Sequence, residues 1–414
     1  ESGTTTITSA TITNSTVGSA IHVDVDATVT IGGTADGEKV VIGSASNRVV
    51  VGITSYGQLT INNAEIYTSQ NTLNIYGGKT TINNGTFNSY TNGKSYTVLA
   101  TSNATVVINN GSFEIGSSSD TGKIGRALIL DKSTVDIHNG TFETGYDSMI
   151  MGTSTLNLYG GTLTGTFSIN SSTVNILGNV SITTLNWRGN AGTLNINSDF
   201  NLTRDLVLGA NGTSTVADQV INVNKALTKT YTLMIYSSSV ADYNAKYINT
   251  TTPVVTYASG VTPNADNFAI TSTTATNGGT AKAVKLMTGS VLKANLANND
   301  YDAQGLYLVG KVTVSFDAVG GTASKATMEV YYGDTYGELA TATKAGYEFL
   351  GWFTDKTNGD LITNTSKVKN SADHTLFAHW KSALKITINV NIDSGCDDDI
   401  MLVIKVYDVK TKQT

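Results

Sequence analysis

Val106-Val-Ile108-Asn-Asn-Gly-Ser-Phe113 and Val135-Asp-Ile137-His-Asn-Gly-Thr-Phe142 share one plan. Two apolar residues stand two apart, an Asn-Gly pair follows, then a hydroxyl residue, then phenylalanine. Thr81-Ile82-Asn-Asn-Gly-Thr-Phe87 and Leu156-Asn-Leu158-Tyr-Gly-Gly-Thr-Leu163 repeat it, and Leu59-Thr-Ile61-Asn-Asn, Val174-Asn-Ile176 and Leu194-Asn-Ile196 keep its first half. Apolar residues two apart face one side of a short strand. Asn-Gly and Gly-Gly then suit a corner that needs a left-handed backbone, and the next strand turns Phe or Leu back inward. One such turn of chain cannot bury its own apolar face. Stacking successive turns at ~4.8 Å buries a continuous core and pairs every strand with its neighbours.

The second apolar residue of the unit falls at 82, 108, 137, 158, 176 and 196, so the step runs from 18 to 29 residues. A variable step means that loops change length while a strand-corner-strand core is kept. A β-sandwich would show evenly spaced hairpins, and Thr72 to Ile82 can be read that way; a propeller needs blades of roughly 40 residues. The observed step fits neither well. The expected fold is all-β, a right-handed parallel β-helix over residues 1–310.

Composition narrows the function. Charged residues make up 14% of the 414 and the formal net charge is −6, so no basic face is available to hold nucleic acid or an anionic membrane. Thr, Ser, Asn, Gly, Val and Ile dominate, and the regular β-branched residues distinguish this from polar disorder. Cys396 is the only cysteine, which excludes an intrachain disulfide and a cysteine-built metal site. No stretch approaches the ~20 apolar residues of a membrane span. The chain starts at Glu1 without Met and ends at Thr414 without a sorting motif, as expected of a piece of something longer.

The units between about residues 20 and 230 resemble the pectin-lyase-like β-helices of bacterial adhesins and autotransporter-type passengers. Residues 230–310 lose the tight repeat but keep alternation, as in Tyr231-Thr-Leu-Met-Ile-Tyr236 and Gly305-Leu-Tyr-Leu-Val309. They are expected to form looser final turns and a cap, because the last turn would otherwise present bare strand edges.

From Val312 the texture changes. Phe316-Asp-Ala-Val-Gly-Gly321, Tyr332-Gly-Asp-Thr-Tyr-Gly-Glu-Leu339, Ala345-Gly-Tyr-Glu-Phe-Leu-Gly-Trp352 and Ala372-Asp-His-Thr-Leu-Phe-Ala-His-Trp380 follow in order. This region is similar to the Listeria–Bacteroides repeat, the B-repeat of internalin-type surface proteins, with Val319 where Asn is usual. The resemblance implies a small β-grasp-like module over 311–381, an extracellular location and a spacer or adhesion role without catalysis. Phe349, Trp352, Phe353, Phe377 and Trp380 are expected to form its core. Residues 382–414, with alternation at Leu384–Ile392 and Ile400–Tyr407, read as a partial β-strand tail, the start of a third β-module.

The β-helix resemblance makes a polysaccharide lyase or glycosidase the alternative to a non-enzymatic adhesin or stalk. Such enzymes need clustered carboxylates, with Ca²⁺ and a basic residue in lyases. Arg126, Asp131, Lys132, Asp136, Glu143 and Asp147 are the densest charged cluster, equally readable as a solvated flank. The register instead puts Asp136, Asn157, Asn175, Asn195 and Asn222 in one outward column. Its amides can bond along the column, or bind carbohydrate as a polar strip. His22, His138, His374 and His379 lack zinc-ligand spacing. Asn298-Asn-Asp-Tyr-Asp302 and Asp397-Asp-Asp399 lack a full Ca²⁺ loop and read as solvated turns. The expectation is a secreted cell-surface protein with no catalytic residues, metal or cofactor. Its partner would be a glycan or protein of a host or neighbouring cell, not nucleic acid, with no membrane insertion in this segment.

Overall fold

A computed structural model describes residues 3–13, 18–35, 37–90, 95–116, 125–145, 147–187, 190–210, 218–237, 246–272 and 283–383. Two compact units divide it: residues 1–315, 327–339 and 363–375 form the first, and 316–326, 340–362 and 376–414 the second. The 382–414 tail lies outside the described residues from 384 onward, and with it Cys396, Asp397–Asp399 and both proposed tail strands.

The first unit is a large, largely parallel sheet in which each early strand pairs with the strand three places on. Three ladders result. The first runs Gly3–Ile7, Ala27–Ile31, Gln58–Ile61, Lys79–Ile82, Thr105–Ile108, Thr134–Ile137 and onward. The second runs Ala10–Ile12, Val40–Ile42, Ala64–Thr68, Thr86–Tyr90, Ser112–Gly116 and Thr141–Glu143. The third starts Ser19–Val23, Val51–Ser55, Leu73–Tyr76, Tyr96–Thr101 and Arg126–Asp131. Three successive strands therefore make one rung. Equivalent residues pair despite the variable step: Ile108, Ile137, Leu158, Ile176, Ile196 and Val223 are partners in turn. Parallel pairing begins at Gly3, earlier than the repeat is recognisable in sequence.

In-register pairing puts like on like. Phe87, Phe113 and Phe142 are buried and stacked, with ring centroids 4.7 and 4.5 Å apart and planes within 5°. Ile66 continues their column on one side, and Leu163 and Ile182 on the other. The corner before each phenylalanine carries Gly85, Gly111 or Gly140 at φ 151°, 143° and 121°. A Cβ there would lie 2.7–3.2 Å from the carbonyl oxygen of Ala64, Gly85 or Gly111 in the preceding rung. Glycine is required by sterics as well as by φ. The neighbouring asparagines Asn83, Asn84, Asn109 and Asn110 are not among the left-handed residues. Their place at the corner has another cause, described below.

The opposite corner was not anticipated. Ser102, Asn103, Lys132, Thr153 and Ser171 adopt φ between 51° and 67° there. Just beyond it stand Ala104, Ser133, Ser154 and Ser172, all buried. The Ser154 hydroxyl accepts from the Ser133 amide at 3.2 Å, and the Ser172 hydroxyl from the Ser154 amide at 3.0 Å. Where the step is shortest the corners become strand themselves, in Thr155–Ile169 and Ser172–Asn186.

Parallel pairing continues to Val255–Tyr257 and Phe268–Ser272 and then changes sense. Gly305–Asp317 runs antiparallel to Val255–Tyr257 and to Val284–Thr288. The segments expected as loose final turns thus include an antiparallel closure. They also include a helix not foreseen, Gly289–Leu296, capped by the Thr288 hydroxyl and ended by left-handed Ala297.

In the second unit, Tyr347–Phe353 pairs antiparallel with Leu361–Ile362 and with His374–Ser382. Trp352 is buried against Phe316 and Phe349, and its Nε1 donates to the Ala340 carbonyl at 2.6 Å. Trp380 packs on Phe349 and donates to the Ala318 carbonyl. The expected five-aromatic core needs correcting. Strand alternation turns the paired Phe353 and Phe377 to the face opposite Trp352, where Phe353 stacks on His379 and Phe377 lies beneath the Lys356 ammonium. Val319 sits at φ 47°, a conformation costly for a β-branched residue, and its backbone N–H donates a hydrogen bond to the Asp317 carboxylate.

Two outcomes follow. Phe113→Ala should destabilise the first unit by about 3–5 kcal/mol, as for a buried aromatic in a packed stack, measured by denaturant unfolding; a near-neutral result would contradict the stacked column. Val319→Asn should raise the midpoint of the transition reported by tryptophan fluorescence, by about 1 kcal/mol of relieved left-handed strain.

Candidate functional site

The first ladder carries the outward column expected from sequence. Asp136, Asn157, Asn175, Asn195 and Asn222 are successive partners, each half-buried between two inward apolar residues. Asn157 Nδ2 donates to Asp136 Oδ1 at 2.7 Å, Asn175 to Asn157 at 2.6 Å, Asn195 to Asn175 at 2.7 Å and Asn222 to Asn195 at 2.8 Å. The Thr256 hydroxyl donates to Asn222 Oδ1 at 2.5 Å. Every bond points the same way, toward the earlier rung, and the series ends on a carboxylate that can only accept. Each interior amide spends one donor and one acceptor inside the column.

A second set of amides lies at the glycine corner. Asn109 donates to Asn83 at 2.6 Å, Asn83 to Asn62 at 2.7 Å, and Asn62 to the Gly32 carbonyl at 3.2 Å. At the next residue along, Asn63, Asn84, Asn110 and Asn139 line an open groove of about 540 Å³ with Thr86, Ser112, Thr141 and Thr162. Asn110 donates to Asn84 at 3.2 Å; Asn63 and Asn139 have no side-chain hydrogen-bond partner among the described residues. Its only charged lining residues are Lys39 and Glu65, paired at 2.6 Å. In later rungs the Asn83–Asn109 position is taken by His138, Tyr159 and Leu177 before Asn197 and Asn224 restore it. His138 and Tyr159 stack at 4.6 Å, and Tyr159 and Leu177 are 42% and 36% exposed. This groove was missed in the sequence reading, although the Asn-Asn-Gly signature that builds it was visible.

The charged residues grouped by sequence are distributed over the three ladders. Asp136 lies on the first ladder, Glu143 on the second, and Arg126 and Asp131 at opposite ends of one strand of the third. Arg126 Nε donates to the Asp147 carbonyl, and Asp147 accepts from Ser168. Asp199 accepts hydrogen bonds from the Thr228 amide and hydroxyl and from the Tyr231 hydroxyl. Burial alone would raise its pKa, but bonds from Thr228 and Tyr231 outweigh that and hold it below the usual carboxylate range.

The histidines sit apart. His22 contacts Asp24 and Tyr56, His374 Nε2 bonds the Tyr336 hydroxyl, and His379 Nε2 bonds the Asp355 carbonyl. In the Asn298–Asp302 loop, Asn298 accepts from the Asp300 amide and Asp302 from the Gln304 amide, so both close turns. Among the described residues no group of three or more His, Cys, Asp or Glu is placed to hold a metal.

The ordered aromatic motifs, the left-handed Val319 turn and the antiparallel Trp352 strand together characterise residues 312–380. Residues 313–379 match the Listeria-Bacteroides repeat domain. Such repeat domains typically occur in surface proteins. The repeat domain contributes to both compact units, since 327–339 and 363–375 group with the first. No curated protein and no solved structure matches the chain.

The outward column yields a charge test. Asn175→Asp replaces a donor with an acceptor facing Asn157 Oδ1, and flipping Asn157 only moves the mismatch to Asp136. The variant should lose about 1–3 kcal/mol at pH 7, the cost of an unmade buried bond. The deficit relative to the parent should shrink at pH 3, where the introduced carboxyl group is protonated and can donate. Equal deficits at both pH values in thermal melts would refute the ladder.

Proposed function

We propose that the protein is a non-enzymatic, extracellular bacterial surface protein that serves attachment or display, and that its first unit is a right-handed parallel β-helix. The three-strand pairing interval supports the helix, because parallel strands joined in one sense fold back on themselves only by winding, and such crossovers are almost always right-handed. The module at 313–379 supports the surface location.

The observation that carries the non-enzymatic reading is the use made of the outward polar positions. Hydrolysis or elimination on a glycan requires groups with separated pKa values or a bound metal, brought together in a cleft. Here the candidate carboxylates lie on three ladders, Asp136 terminates an amide column, and the groove is lined by amides and hydroxyls. Neither group titrates near neutrality. Repeated over many rungs, they suit weak contacts that gain strength from multivalency on a host or neighbouring cell surface.

The expected outcome is no release of unsaturated or reducing sugar from pectin, alginate, chondroitin or mucin glycans, with or without Ca²⁺. Soluble monomer should bind cell surfaces weakly, and bead-displayed copies about 10²–10⁴-fold more strongly. Sugar release that disappears on Asp131→Ala or Asp136→Ala would move the protein to the polysaccharide lyases or glycosidases.

A further inference from the structure

We infer that the glycine-corner groove, together with His138 and Tyr159, is the contact site for a neutral oligosaccharide chain; this rests on the attachment reading and gives it a place and a ligand class. The strand-face column and the groove row of amides differ in one respect. The strand-face column is closed upon itself, each interior amide giving and receiving a bond of 2.6–2.8 Å. The groove amides are not: Asn63 and Asn139 are unpartnered among the described residues, and a single 3.2 Å bond joins Asn84 and Asn110. Donors and acceptors therefore stand exposed in the same row, one amide per rung.

Geometry and charge select the ligand. The rungs repeat every ~4.8 Å, comparable to the length of one pyranose unit, so successive sugars of an extended chain meet equivalent amides. A second hollow of about 360 Å³ shares Asn63 and Asn84 with the first and lengthens the track. Sugar hydroxyls donate and accept, as do amides and the Thr86, Ser112 and Thr141 hydroxyls. The paired Lys39 and Glu65 leave nothing to balance a uronate or sulfate.

The break in the repeat supplies the apolar half of the site. Where the corner column would place an amide stand the stacked His138 and Tyr159 and the partly exposed Leu177, His138 being the residue before groove-lining Asn139. Nothing in the packing of the rungs requires this, since Asn197 and Asn224 return to the amide pattern and bond at 2.9 Å. Sugars combine an equatorial rim of hydroxyls with apolar C–H surface, and an amide row flanked by rings matches both.

The test uses the full chain on an array of neutral hexasaccharides built from glucose, mannose, galactose or N-acetylglucosamine, with polygalacturonate and heparin as charged probes. At least one neutral class should be captured in preference to the polyanions. Asn84→Leu, Asn139→Leu and Tyr159→Ala should each weaken capture about tenfold, and Asn139→Leu, which removes no hydrogen bond between rungs among the described residues, should do so with an unchanged unfolding midpoint. Tyr159→Trp should retain capture and change its fluorescence as hexasaccharide is titrated, which keeps the test open should a leucine variant misfold. Capture of no neutral glycan, capture indifferent to these variants, or preference for the polyanions would overturn the assignment. Beads that attach to cells while every neutral glycan fails would overturn the groove and leave the attachment reading standing. Hexasaccharide capture with no cell attachment would support the groove and overturn that reading.

Discussion

A single rung of this protein has no interior. Its three short strands point a few aliphatic or aromatic side chains toward one another, and only the rungs on either side remove those side chains from water. Every other feature of the first unit answers to that dependence. Strands must pair in register, because a slip of one residue would turn the inward set outward. Corners must pass directly over one another, which is why Gly85, Gly111 and Gly140 have the preceding rung's backbone where a side chain would be. Loops are released from the constraint, so the distance between equivalent residues varies while Phe87, Phe113 and Phe142 remain face to face.

The same dependence decided what could be read from the sequence. The inward residues are apolar, recur on strands of period two, and are followed by Asn-Gly, so the ladders, the phenylalanine column and the Asp136–Asn222 row were legible. The serine corner was not. Ser133, Ser154 and Ser172 are buried, but hydroxyl residues are so common here that they carry no inside-or-outside signal. The helix at Gly289–Leu296 escaped because it is short and lacks an acidic first turn. The Asn-Asn-Gly motif was legible as a corner and was misjudged in mechanism. Its glycine supplies the left-handed backbone, while the two asparagines do different work, the first bonding rung to rung and the second facing the groove. Likewise the aromatics of the repeat domain were visible, but pairing between Phe353 and Phe377 across two strands was needed to see which face they occupy.

Repetition in this chain has two uses that the sequence writes with one residue. Where an asparagine is flanked by inward apolar neighbours on a strand, its amide is held at fixed spacing and joins a closed row. Two residues past the strand's end, at Asn63, Asn84, Asn110 and Asn139, the same side chain faces the groove and is no longer held in a continuous bonded row. Placement relative to the strand end, more than residue type, separates an amide that holds the stack together from one that is available to a ligand.

The strand-face column also bears on where such a protein can work. An amide has no proton to gain or lose across the range of pH that microbes meet, and no formal charge for dissolved ions to shield. Proteins laced together by exposed ion pairs weaken in brine and in acid; a stack laced by carboxamides does not share that sensitivity. From Asn157 to Asn222 the cross-rung fastening is made of such groups alone. Cohesion along that face is therefore set by geometry and temperature, and is largely indifferent to the salinity of the surroundings.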